Sequence, residues 1–179
     1  AVAAGLRNVP VGVLTSFSST GPTDDGRIKP DVVANGANLT SSIGTGVSDY
    51  GVYSGTSMSS PNAAGSALLL IDYYRTRFAG QAMRAATLKA LIIHTADDTG
   101  TPGPDYQYGW GYMNTEKAAA HIKQQADGGS NPVMIEADLT TADGDDSYTF
   151  SWNGNEPIRV TLVWNDPASS GTAVHDDRT

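Results

Sequence analysis

Residues 50–65 read YGVYSGTSMSSPNAAG, and how this stretch is read decides the fold of the 179-residue chain. It sets five serine and threonine hydroxyls, Pro61 and three glycines between a short apolar run and a long apolar segment. Turn chemistry needs only one glycine and one capping residue. A serine on a sharp turn at the start of a helix has unpaired backbone N–H groups beside it and a side-chain oxygen aimed outward. An anion forming next to that serine meets donors already in place, which is what an acyl-transfer oxyanion hole requires. Ser57 is thus a candidate nucleophile, with Gly55 and Thr56 before it letting the turn be tight. The same residues also read as a Ser/Thr-rich helix cap without chemistry. Local logic leaves both readings open.

Downstream, small residues from Ala63 to Ala67 precede ALLLIDYYRTRF, a segment apolar on nearly every side. That pattern predicts a helix buried in a larger body, packed closely through its small residues, with Pro61 in the first turn where a missing N–H costs nothing. A second helix is expected from Met83 to Thr95, where Leu88, Leu91, Ile92 and Thr95 form one stripe. A third starts at Asn114, as N-cap, and runs through Glu116 and Lys117 to Ile122. Between them, TADDTGTPGPDYQYGWGY is a long loop with anchors at Tyr106, Tyr108, Trp110 and Tyr112. Upstream, Val9 to Leu14, Ile28 to Ala34 and Tyr50 to Ser54 read as strands broken by tight turns.

At Asp127-Gly128-Gly129-Ser130 the periodicity changes from helical to alternating. Val133, Ile135, Ala137 and Leu139 make one face, Tyr148, Phe150 and Trp152 a second, and Ile158, Val160, Leu162 and Trp164 a third. These read as half-buried antiparallel strands joined by turns at Asp143-Gly144 and Asn153-Gly154. Three strands and the tail Ala168 to Thr179 are too few to close a sandwich. The expectation is one domain over 1–127 and the start of a second over 128–179.

A net charge of −8, much of it in Asp-rich loops, gives no basic stripe to displace counterions from phosphate, so nucleic acid and anionic lipid are excluded as partners. With no cysteine there is no thiol nucleophile and no zinc-thiolate site. No apolar run approaches the length needed to cross a bilayer, and the first residues, AVAAGLRNVP, do not read as a secretory leader.

Beyond this local logic, GTSMSSP resembles the active-site serine signature of the subtilisin-like serine proteases, the subtilase family, whose usual form is G-T-S-M-A/S-x-P. FSSTGPTDDGRIKPDVVANG, from Phe17 to Gly36, and GPDYQYGWGYMNTEKAA, from Gly103 to Ala119, agree with the same family in order and spacing. The resemblance covers roughly residues 11–125. It implies that Ser57 is the nucleophile and supplies one oxyanion donor from its own N–H, that the Thr56 hydroxyl supports that hole, and that Gly55 makes room. The chain departs from the pattern at Asn35, where proline is common, and at Asn62, where histidine is common; neither is a triad position. The implied fold is α/β, part of a doubly wound parallel-sheet domain, and IRVTLVWNDP resembles the start of the β-sandwich that follows it in some secreted members.

The family's triad runs aspartate, histidine, serine, yet residues 1–56 contain no histidine. His94, His121 and His175 all follow Ser57 and read as packed or solvated, and Asp31 lies in a structural segment. The resemblance therefore implies the second half of a catalytic domain of a secreted endopeptidase, inactive alone, with exposed apolar surface through which the chain either self-associates or stays only partly ordered. The substrate would be a protein or peptide. No cofactor is required; the family's calcium sites lie partly in other segments, and Asp143 to Asp146 and Asn165-Asp166 read as solvated turns. A non-catalytic binding or adhesion module is the alternative, separated by whether Asp and His motifs lie upstream. An ester hydrolase is disfavoured, because GTSM lacks the G-x-S-x-G elbow.

Overall fold

Apolar residues at helical spacing make three helices that share one core. In a computed structural model, residues 2–3 (backbone), 12–128, 133–138, 145–155 and 157–165 are described. Strand β1 (Val2–Ala3) pairs antiparallel with β2 (Val13–Leu14), and β3 (Leu39–Ser42) with β4 (Tyr50–Tyr53) in a hairpin that sets Leu39 opposite Tyr53. Helices α1 (Thr56–Arg77), α2 (Ala85–Thr95) and α3 (Thr115–Asp127) follow.

The core consists of Leu70 and Tyr74 from α1, Leu91 from α2, Met113, and Ala118 and Ile122 from α3. Each large side chain buried there stabilises the fold by roughly 1.5–3 kcal/mol. Thr95 is the buried polar residue of α2, and its hydroxyl is satisfied by donating to the Leu91 carbonyl over 2.8 Å. Helix α3 starts as expected: Asn114 accepts the Lys117 N–H at 2.9 Å. Helix α1 differs from expectation in where it starts. It begins at Thr56, so Pro61 lies in its second turn and withholds the N–H that would bond the Ser57 carbonyl. Its outer face is uncovered among the described residues, with Leu68 and Leu69 at 65% and 68% exposed.

The segment Ile28 to Ala34 is not a continuous strand; Val33 makes an isolated parallel bridge to Tyr112. Its partner is stitched on by Trp110 N–H to the Asp31 carbonyl (2.9 Å), Val33 N–H to Gly111 (3.0 Å) and Met113 N–H to Val33 (2.9 Å). Asp97 and Tyr112 exchange two bonds of 2.8 Å on the other side. This close approach requires glycine: a Cβ on Gly109, at φ 65°, would sit 2.0 Å from the Pro30 carbonyl oxygen, and one on Gly111 2.1 Å from that of Asp97.

Among the described residues the doubly wound sheet is not assembled, and residues 133–138, 145–155 and 157–165 carry no strand. Their alternating apolar side chains from Tyr148 to Trp164 stand exposed. Met134 packs against the core, Gln125 accepts the Val133 and Met134 N–H groups (3.0 and 3.1 Å), and Arg84 pairs with Glu136 and Asp138. Val9 to Val11, Leu139, the Asp143-Gly144 turn, Gly129-Ser130 and Ala168 to Thr179 lie outside the described residues.

Candidate active site

Strand β4 runs through Ser54 and Gly55 directly into α1. The junction is pinned from below by the segment Ala34 to Asn38. The Gly55 N–H donates to the Gly36 carbonyl at 2.7 Å, the Ser59 hydroxyl to the Ala34 carbonyl at 2.8 Å, and the Asn38 N–H to Ser54 Oγ at 2.8 Å. Asn38 adopts the left-handed conformation, φ 53°, that turns the chain into β3. At Asn35, where the family commonly has proline, the side chain accepts the Ala37 N–H at 3.3 Å. An Asx turn thus shapes the bend that a proline ring would otherwise restrict.

Ser57 is the second residue of α1 and is exposed. The Met58 and Ser59 N–H groups both turn back to the Gly55 carbonyl, at 3.1 and 3.2 Å. Among the described residues, nothing accepts from the Thr56 or Ser57 N–H, and nothing bonds the Ser57 hydroxyl. A free hydroxyl beside free amides at the positive end of a 22-residue helix is suited to an electrophile that becomes an anion. Thr56 is exposed beside it.

Of the two reasons the sequence gives for Gly55, a tight turn and room beside Ser57, the backbone does not require the first. It is extended (φ 160°, ψ 166°), a conformation open to any residue, so turn tightness does not demand glycine. A Cβ there would stand 3.7 Å from Met58 Sδ and 3.8 Å from the Ser57 nitrogen, in ordinary contact.

The histidines are engaged elsewhere. His94 and His121 meet edge to face with ring centroids 5.4 Å apart. His94 Nδ1 lies 2.9 Å from Thr161 Oγ1, and Arg159 donates to the His94 carbonyl at 3.2 Å. Burial lowers the pKa of both imidazoles, and for His94 the charges of His121 and Arg159 lower it further. Neither ring is hydrogen-bonded to Ser57, and His175 lies outside the described residues. The Asp31 carboxylate is taken by Lys29 (2.5 Å) and Lys89 (3.6 Å), a structural role. No group of three His, Asp or Glu side chains converges on one point among the described residues; Asp143 and Asp166 fall outside them.

Sequence reading did not single out Ser59, Ser54 or Asn38. Ser59 stands inside the quoted signature, but its partner is 25 residues away, and nothing local announces that pairing.

A family model described as the subtilase family matches residues 2–111. A Dictyostelium discoideum serine protease/ABC transporter B family protein, tagA, is 31% identical over 86% of this chain and 10% of its own length. The C5a peptidase of Streptococcus pyogenes is 35% identical over 60% of this chain, again 10% of the longer protein. The chain thus spans about a tenth of these relatives. Among solved structures, the CspB protease of Clostridium perfringens superposes with a TM-score of 0.54 at 26% identity, covering 62% of this chain and 23% of that one.

Proposed function

Since this chain belongs to the subtilase family, whose members are serine peptidases, we propose that it carries the nucleophile-bearing half of a subtilisin-like serine endopeptidase acting on proteins or peptides. The observation that supports this most is Ser57 itself, exposed on the first turn of α1 with its hydroxyl and N–H both unengaged among the described residues. In the intact enzyme an upstream histidine takes the Ser57 proton as the oxygen attacks the peptide carbonyl. The Ser57 N–H then donates to the oxyanion, the acyl-enzyme forms as the amine leaves, and water releases it. The Thr56 hydroxyl supports the hole, and the space kept by Gly55 admits the scissile carbonyl.

By this reading the missing sheet neighbours lie upstream and complete a doubly wound domain. Residues from 128 onward open a β-sandwich, and the parent is secreted. No cofactor takes part in the chemistry, and any calcium is structural. The 179 residues alone do not hydrolyse peptides, because serine without its base stays protonated; in subtilisin itself, losing serine or histidine lowers turnover by about six orders of magnitude. The second reading is a non-catalytic binding or adhesion module, which holds if no Asp and His motifs of the family lie upstream of these residues.

A fluorophosphonate probe tests both. The isolated chain is expected to stay unlabelled, while the full-length protein labels at Ser57 and its Ser57→Ala variant does not. Stoichiometric labelling of the isolated chain overturns its inactivity, and an unlabelled full-length protein favours the binding module.

A further inference from the structure

The extended segment 33–36 sends its polar groups alternately to two neighbours. Val33 bonds Gly111 and Met113, whereas the carbonyls of Ala34 and Gly36 point the other way and hold the start of α1. They hold it at two residues, Ser59 through its side chain and Gly55 through its backbone, and Ser57 lies midway between them. Neither the Ser57 hydroxyl nor its N–H has a partner among the described residues, so their direction follows from the backbone of the first turn, which these two anchors tie to segment 33–36. The Gly55 bond ties the entry of the first turn to this segment, and the Ser59 bond adds a second tie on the far side of Ser57. Ala34 is buried, so loss of the Ser59 hydroxyl also strips its carbonyl of that donor in a place water does not readily reach.

We propose that Ser59 is a positioning residue for catalysis, aiming the Ser57 hydroxyl and amide through its hydrogen bond to the Ala34 carbonyl. The proposal rests on the reading of Ser57 as nucleophile. The family signature accepts alanine or serine at this position, so the expected effect is that of one hydrogen bond.

The test uses the full-length protein that carries this chain, with a chromogenic peptide substrate and a fluorophosphonate probe. Ser59→Ala is expected to lower kcat and the labelling rate about three- to tenfold, with KM unchanged. Ser59→Thr, which keeps the hydroxyl, is expected to restore most of the loss. A purely structural role would not give this kcat-only loss with rescue. Ser59→Ala turning over at the wild-type rate, a loss confined to KM, or a loss that Ser59→Thr shares overturns the proposal. Ser57→Ala keeps the two readings apart: activity surviving in that variant brings down the nucleophile assignment itself, whereas a dead Ser57→Ala beside an unimpaired Ser59→Ala sinks only the role of Ser59.

Discussion

His94 on α2 and His121 on α3 present their rings edge to face, 5.4 Å between centroids, with Arg159 close by. Burial lowers both pKa values from the ordinary 6.5, and for His94 the nearby cations add to the effect. As pH falls, the unfolded chain therefore takes up these protons before the folded one does. The stability linked to the pair is fully present above pH 6.5 and is lost as pH drops below it toward the depressed folded values. Urea midpoints measured between pH 7.5 and 5.5 should fall with acid in the wild type. They should stay nearly level in a His94→Gln/His121→Gln variant, and an unchanged slope in that variant would refute the assignment.

Asn114 joins two elements with one side chain. Its Oδ1 caps α3 at Lys117, and its Nδ2 donates to Asp97 at 2.8 Å. Burial opposes ionisation of Asp97, yet the bonds from Lys117 and Asn114 hold its pKa below the ordinary 3.8. Asn114→Ala should cost about 1 kcal/mol from the cap and let the Asp97 pKa rise. The stability that Asp97 contributes above pH 3.8, and loses as pH falls through its folded value, should then shrink. Denaturation at neutral pH and a carboxyl-carbon NMR titration of Asp97 measure the two effects separately.

Features whose cause is local were legible in the sequence. The cap at Asn114, the stripe of α2 and the hairpin strand before Gly55 all follow from neighbours within a few residues. The start of α1 was misplaced, because a proline excludes only its own N–H bond, and the Ser57 carbonyl it leaves without that partner sits on the exposed first turn. The segment 28–34 resisted reading for the opposite reason: the partners of Val33 are almost eighty positions away. Alternation at Tyr148 to Trp164 marks side chains that need a sheet, yet pairing is decided by a neighbour rather than by the pattern. For the site, motif order located Ser57, while the anchors beneath it came only from tertiary structure.

Gly109 is where the aromatic loop touches the backbone beneath the site. Any side chain at this residue meets the Pro30 oxygen at 2.0 Å and the Asp31 oxygen at 2.4 Å, with φ at 65° adding strain. Gly109→Ala should destabilise the fold by roughly 2–4 kcal/mol and loosen the bond from Trp110 to Asp31. Amide exchange is the sharper check. Protection at Trp110 and Val33 should drop together, whereas Gly44→Ala, where a Cβ meets nothing within 4 Å and the backbone is not left-handed, should leave both unchanged.

Neighbouring leucines on α1 should separate folding from association. Leu70 is 1% exposed in the core, so Leu70→Ala removes packed methyl groups and should cost about 2–5 kcal/mol. Leu68 and Leu69 make no comparable burial, at 65% and 68% exposed. Replacing both with lysine should leave the unfolding free energy from urea titration within about 0.5 kcal/mol of wild type. If the uncovered face draws chains together, the same double variant should lower the mass seen by light scattering at high protein concentration, because charge on a helix face opposes its burial against a second apolar surface. A wild type that stays monomeric across that range would show that this face does not drive association, while a double variant that unfolds would mean that its leucines belong to the core.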